Sequence, residues 1–271
     1  MITAAAGTRA AITVFRLPGS RLLDVRGSLP LGADAIFRNV SVDNPTQYFV
    51  NQLRDVLTSN GVNVVGPAVD IDEVASPPHV ESGTLLLMHR SEPLSTLATT
   101  MMKVSQNLYA ETLLKTLAAP ARPRTAEAGR STIQATLASW NIDPAEVLVA
   151  DGSGLSRYNL ATPDALVAVL TRAAQDERLK RSFDATLPIA GRDGTLSLRM
   201  RGTAADGNAQ AKTGSLSNVR AISGYVRSGD GEPLVFSILA NNFGSAADMV
   251  ETTEDAIIVK LAEFSRVFNG R

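Results

Sequence analysis

Ala209-Gln210-Ala211-Lys212-Thr213-Gly214-Ser215-Leu216-Ser217 leads into Val219-Arg220-Ala221-Ile222-Ser223-Gly224-Tyr225-Val226. Leu234-Val235-Phe236-Ser237-Ile238-Leu239-Ala240-Asn241 follows after the turn Ser228-Gly229-Asp230-Gly231. These runs are short, β-rich and punctuated by turn residues, so three consecutive strands are expected, the last two joined by that turn. A closing amphipathic helix should follow, with Met249, Ile257, Ile258, Leu261 and Phe264 roughly on one face.

Upstream of the strands the period is helical. Leu94 to Leu117 reads as helix interrupted near Ser105 to Asn107, with a start signal at Ser91 and Pro93. Further helices are expected over Ala126 to Trp140 and from Thr162-Pro163, where a capping hydroxyl precedes a first-turn proline. Before residue 77 the pattern is β-rich and mixed. Ala11 to Phe15, Arg21 to Val25 and Val62 to Val65 read as strands. Phe49, Leu53, Val56 and Leu57 recur at helical spacing until Asn60-Gly61 stops the helix. Ala75-Ser76-Pro77-Pro78 is the best linker, which places a boundary between residues 1–77 and 78–271.

The chain has 271 residues, 44% of them hydrophobic and 20% charged, enough for one large or two smaller cores. Its 26 basic and 27 acidic side chains leave a net charge of −1, with no basic field for nucleic acid or an anionic membrane. Cysteine is absent, which excludes disulfides and thiolate metal sites. The first ten residues do not read as a signal peptide, and no apolar run is long enough to span a membrane. His79 and His89 lack metal-ligand spacing or a neighbouring carboxylate motif, which disfavours a zinc peptidase and a Ser-His-Asp hydrolase.

Lys212-Thr213-Gly214 alone is weak, since it equally suits a solvated lysine on an edge strand, and Ser105-Gln106-Asn107 equally suits a helix break with a local cap. Together and in this order they are the second and third motifs of the penicillin-binding and β-lactamase set, Ser-x-x-Lys, Ser-x-Asn and Lys-Thr-Gly. The surroundings narrow this further. Met101 to Glu111, Asp151-Gly152-Ser153-Gly154-Leu155-Ser156 and Gly191-Arg192-Asp193-Gly194-Thr195-Leu196 resemble the low-molecular-mass class C penicillin-binding proteins, D-alanyl-D-alanine carboxypeptidases and endopeptidases of the cell wall. The likeness covers most of the chain from Leu85 on and is fainter over Gly27 to Gly66.

That resemblance implies an α/β (α+β) penicillin-binding, serine β-lactamase-like fold, an antiparallel sheet covered by helices and incomplete at its N-terminal side. Residues 1–77 would be the tail of inserted domains. Ser105 would relay protons, Asn107 would orient the substrate, and Lys212 would meet the terminal carboxylate. Thr213 and Gly214 would bind beside it, and the backbone N–H of Ser215 would be half of an oxyanion hole. No cofactor or metal is implied. The implied partners are peptidoglycan stem peptides ending in D-Ala-D-Ala and β-lactams, in the periplasm or another extracytoplasmic space.

The first motif is missing, because no serine has a lysine three residues on. Thr100 with Lys103 imitates its spacing but stands too close to Ser105 to be a separate motif. The expectation is therefore a serine-type peptidase without its nucleophile segment, inactive by itself. The alternative is a non-catalytic module binding peptidoglycan peptides or β-lactams. Asp151 to Gly154 reads as a tight turn and Asp193 as a helix cap, with no chemical step for either.

Overall fold

Side-chain caps set most of the α-helix starts. Asn44, Thr125 and Thr162 each accept a backbone N–H from the first turn of the helix that follows, and proline occupies the first turn after Asn44 and Thr162. The computed structural model describes all residues except Pro18, Asn39, 78–82, 119–124, Ser245 and 267–271. Pro78 of the expected linker and His79 lie outside the described residues. The chain forms two compact units, Met1–Met88 and His89–Arg271, dividing past the Pro77-Pro78 pair.

In the first unit, β1 (Ile2–Ala4), β2 (Ala11–Phe15) and β3 (Asp24–Pro30) make a sheet of order β1-β3-β2, with β1 parallel and β2 antiparallel to β3. The strand expected over Arg21 to Val25 thus starts later and runs to Pro30, because its register is set by the pairing of Asp24 with Phe15. Helix α1 (Pro45–Ser59) follows. Val62 to Val65, expected as a strand, is not one: the Val62 N–H donates to Leu57 O and closes the helix behind the left-handed Gly61.

The second unit carries α2 (Leu94–Val104), α3 (Asn107–Thr116), α4 (Ala126–Ser139), the short pair β4 (Val147–Leu148) and β5 (Leu160–Ala161), α5 (Pro163–Gln175) and α6 (Glu177–Asp184). The sheet β6 (Gln210–Leu216), β7 (Val219–Arg227) and β8 (Pro233–Asn241) and helix α7 (Ala247–Glu263) complete it. The expected break between α2 and α3 falls at Ser105 and Gln106, and α2 starts directly after Pro93 with no side-chain cap from Ser91. Helix α6 had no apolar period to announce it; Asp176 caps it through the Arg178 N–H, directly behind α5.

The sheet is antiparallel in the order β6-β7-β8. Ala211, Ile222, Val226 and Phe236 pack with Ile258 and Ala262 of α7 and with Leu196, Met200 and Ala205 into the main core. On the other face the Tyr225 hydroxyl donates to Leu170 O of α5 at 2.7 Å. A second cluster joins Leu137 of α4 and Ala165 of α5 through Ile142. The stripe expected on α7 needs correction. Met249, Ile257 and Phe264 are exposed, whereas the buried line is Glu254, Ile258 and Ala262, one helical turn apart. Glu254 broke the apolar pattern, and Arg199 admits it by donating to Oε2 at 3.0 Å.

Candidate active site

Helix α2 ends because Ser105 takes up a left-handed conformation, φ 56° and ψ 52°. The N–H groups of Ser105 and Gln106 both turn back to Met101 O, and the Gln106 side chain then caps α3 through the Leu108 N–H. This reversal brings Ser105 and Asn107, at the junction of the two helices, to the lining of one cleft. Both residues are exposed, and the Asn107 side chain makes no hydrogen bond among the described residues.

Strand β6 forms the opposite wall. Lys212 Nζ donates to Ser105 Oγ at 2.9 Å and to Thr213 O at 2.6 Å. Burial holds its ammonium below the ordinary lysine pKa. Thr213 turns its hydroxyl to Thr195 Oγ1 at 2.8 Å. Gly214 is next, and a Cβ there would meet Ala221 Cβ at an ordinary 3.5 Å. Strand β6 is an edge strand, and its Ala211 N–H points outward to Pro188 O at 3.0 Å. By alternation the N–H groups of Thr213 and Ser215 face the same open side.

The floor is the Asp151 to Gly154 turn. Asp151 accepts from Gly154 N at 2.7 Å, Ser156 N at 2.7 Å and Asn159 Nδ2 at 2.8 Å, bonds that hold its carboxyl below the usual range against the opposing cost of burial. Glu111 of α3 accepts from Gly152 N and Ser153 N at 3.1 and 3.0 Å. A Cβ at Gly152 would stand 2.5 Å from Ala110 O, so only glycine lets the turn lie this close to α3. Ser105, Asn107, Ser153, Thr195 and Lys212 to Ser215 line one cleft of about 530 Å³.

The structure thus brings Ser105, Asn107, Lys212, Thr213, Gly214 and Ser215 to one place. Thr195 and Glu111 stood in quoted motifs without a role; the signal was their adjacency to Asp193-Gly194 and Asn107, which spacing alone does not interpret. Asp193 is not the helix cap expected of it. It makes no cap bond, and its carboxylate accepts from Ile189 N at 2.9 Å and from Lys103 Nζ at 2.7 Å. Lys103 is therefore committed to Asp193 and to Leu187 O, also at 2.7 Å, and does not serve Thr100 as a base. Among the described residues no group of acidic or histidine side chains could hold a metal.

An antiparallel sheet with a Lys-Thr-Gly edge strand facing a Ser-x-Asn helix break defines the penicillin-recognising class of fold. Comparison with known proteins agrees: residues 1–264 match the D-Ala-D-Ala carboxypeptidase 3 (S13) family, and the chain belongs to it. It is 37% identical to a D-alanyl-D-alanine carboxypeptidase of Actinomadura sp. over 97% of this chain and 49% of the relative. It is 32% identical to D-alanyl-D-alanine carboxypeptidase DacB of Haemophilus influenzae over 87% of this chain and 48% of the relative. The crystal structure of penicillin binding protein 4 (dacB) from Haemophilus influenzae, complexed with a novel β-lactam, superposes with a TM-score of 0.78 at 28% identity. It covers 94% of this chain and 60% of that one. The chain spans about half the length of these curated relatives.

Proposed function

We propose that this chain carries the substrate-recognising and proton-relaying part of a serine-type D-Ala-D-Ala carboxypeptidase or endopeptidase of peptidoglycan metabolism. Its substrates would be stem peptides ending in D-Ala-D-Ala, met outside the cytoplasm, and β-lactams would occupy the same cleft. The carrying observation is the 2.9 Å bond from Lys212 to Ser105 beside a strand edge that the Pro188 to Ala190 segment pairs only as far as Ala211. A peptide can add to that edge as a further strand, its terminal carboxylate on the Lys212 ammonium.

The reaction then needs a nucleophile. A serine oxygen attacks the D-Ala carbonyl, the developing oxyanion takes the Ser215 N–H, and the C–N bond breaks as the leaving amine receives a proton relayed by Ser105. Water hydrolyses the acyl-enzyme. The Thr213 hydroxyl spends its proton on Thr195, so the Thr195 proton is the one left for the substrate carboxylate. No serine of this sequence has a lysine three residues on, so the reading requires the nucleophile and its base from outside it. An apolar cavity of about 740 Å³, lined by Met101, Leu113, Leu114, Ile133, Val149 and Leu239 among others, adjoins the cleft and offers such a segment a seat.

Intact mass after incubation with a labelled penicillin tests this. The chain alone should gain no penicilloyl mass, and a protein joining it to a relative's Ser-x-x-Lys segment should gain one equivalent, on that serine. A stoichiometric adduct on any serine or threonine of this chain would refute the assignment.

A further inference from the structure

We propose that Lys103 and Asp193 are positioning residues whose ion pair locks the end of α2 to the sheet and so fixes Ser105 against Lys212. The proposal rests on the roles given above to Ser105 and Lys212. Neither Lys103 nor Asp193 is assigned a task by that reading.

Lys103, Asp193, the Leu187 to Ala190 segment, β6 and Ser105 form a closed ring of contacts. Lys103 sits on the last turn of α2, two residues before Ser105, with its side chain only 17% exposed. Both its acceptors belong to one segment, Leu187 O and Asp193 Oδ2, each at 2.7 Å. That segment is fused to β6. Pro188 O accepts the Ala211 N–H at 3.0 Å, the Ala190 N–H donates to Ala209 O at 2.9 Å, and Ile189 bridges Gln210. Asp193 closes its own loop through the Ile189 N–H at 2.9 Å, which aims the carboxylate at Lys103. From Ala211 the next residue is Lys212, whose ammonium returns to Ser105.

Three further features fit a lock rather than a chance surface pair. Gly194 has φ +56°, and a Cβ on it would lie 2.6 Å from Lys103 O, so the turn touches the backbone of α2 as well as its side chain. Thr195, next along that turn, holds Thr213, so the same tether orders both sides of the cleft. Ser105 itself occupies a left-handed conformation that a non-glycine residue keeps only where its surroundings over-determine it.

The test follows Lys212 in the full chain by NMR, with 13C,15N-lysine labelling and titration of its Cε and Nζ signals. In the unaltered chain Lys212 should titrate below an ordinary lysine. In Lys103→Met and in Asp193→Asn it should move up toward the ordinary value as the cleft loosens and admits water, whereas Lys103→Arg, which keeps the charge, should hold it low. An ordinary titration in the unaltered chain would mean that nothing holds water away from Lys212 and would overturn the tether, while the penicilloyl mass test decides the functional reading separately. A lowered titration that stays put in both folded variants would overturn the tether alone. One measurement needs no variant: the Gln106 and Ile189 amides, on opposite sides of the tether, should exchange hydrogen through one opening with the same denaturant dependence. Independent openings would contradict the lock.

Discussion

Lys212 on β6 and Ser105 at the end of α2 stand 107 positions apart in the sequence and share a 2.9 Å hydrogen bond. The ammonium that makes this bond is partly stripped of water, and desolvation lowers its pKa from the ordinary 10.5. Folding therefore works against a charged Lys212 throughout the neutral range. The strain eases as pH climbs from the lowered folded pKa toward 10.5, where the unfolded side chain also loses its proton. Lys212→Met should then raise the melting temperature at pH 7, with an advantage that shrinks as the pH rises between those limits. Calorimetry of the two proteins across pH 7 to 10.5 checks it, and a Met variant that is less stable at pH 7 would show that the two hydrogen bonds outweigh the desolvation.

Stability and function should move in opposite directions at this position. In a protein joining this chain to a Ser-x-x-Lys segment, Lys212→Ala should cut D-Ala release from a D-Ala-D-Ala peptide by about thirty- to a thousandfold. Losing a charge-assisted contact from a partly desolvated ammonium costs on the order of 2–4 kcal/mol. Lys260 pairs with Glu263 on the surface of α7 with its side chain 81% exposed, so Lys260→Ala should leave the rate nearly unchanged. Equal losses in the two variants would remove the Lys-Thr-Gly assignment.

The interior of α7 makes an independent prediction. Glu254 is 2% exposed, one of its oxygens has no hydrogen-bond partner, and burial raises its pKa above 4.5 despite the opposing pull of Arg199. A carboxyl raised in this way contributes stability at low pH and loses it as pH rises through the folded pKa. Glu254→Gln should accordingly gain on the unaltered protein between pH 4.5 and 7. Arg199→Met should instead cost about 3–5 kcal/mol at pH 7, since it strands Glu254 and Asp255 without the guanidinium they share at 3.0 and 2.7 Å. Urea unfolding at both pH values decides, and a Gln variant that loses ground on going to pH 7 would reverse the sign argued here.

What the sequence disclosed follows from where its signals are local. The three strands of the sheet, the break at Ser105, the helix from Ala126 and the cap at Thr162 depend on period and on neighbouring residues, and they stand where those put them. The motif residues could be gathered into one cleft only through a family resemblance, because nothing local links Ser105 to Lys212. Lys103 and Asp193 stayed illegible for the same reason: 90 positions separate them, and each had a plausible local role as a spaced lysine or a cap. On α7 the apolar pattern misled because a paired, buried Glu254 occupies the inward line that an amphipathic rule reserves for apolar side chains.

The contact of Glu111 with the Asp151 to Gly154 turn yields the last prediction. One carboxylate oxygen accepts from both Gly152 N and Ser153 N at 3.1 and 3.0 Å, and the turn lies so close to α3 that no water layer separates Gly152 from Ala110 O. Glu111→Ala leaves two N–H groups unpaired at a half-buried position, a cost of about 1–3 kcal/mol. Glu111→Gln keeps an oxygen that can accept both and loses only the charge, so it should cost less. The effect should be local. Hydrogen exchange at Gly152 and Ser153 should quicken by roughly ten- to a hundredfold in the Ala variant, in line with that cost. Exchange of the Ile222 amide at the centre of the sheet should change much less. Because Ser153 lines the same cleft as Ser105 and Lys212, the loosened turn should also weaken binding of a D-Ala-D-Ala peptide in a protein joined to a Ser-x-x-Lys segment. Unchanged exchange at both turn amides in the Ala variant would mean that Glu111 does not hold the turn.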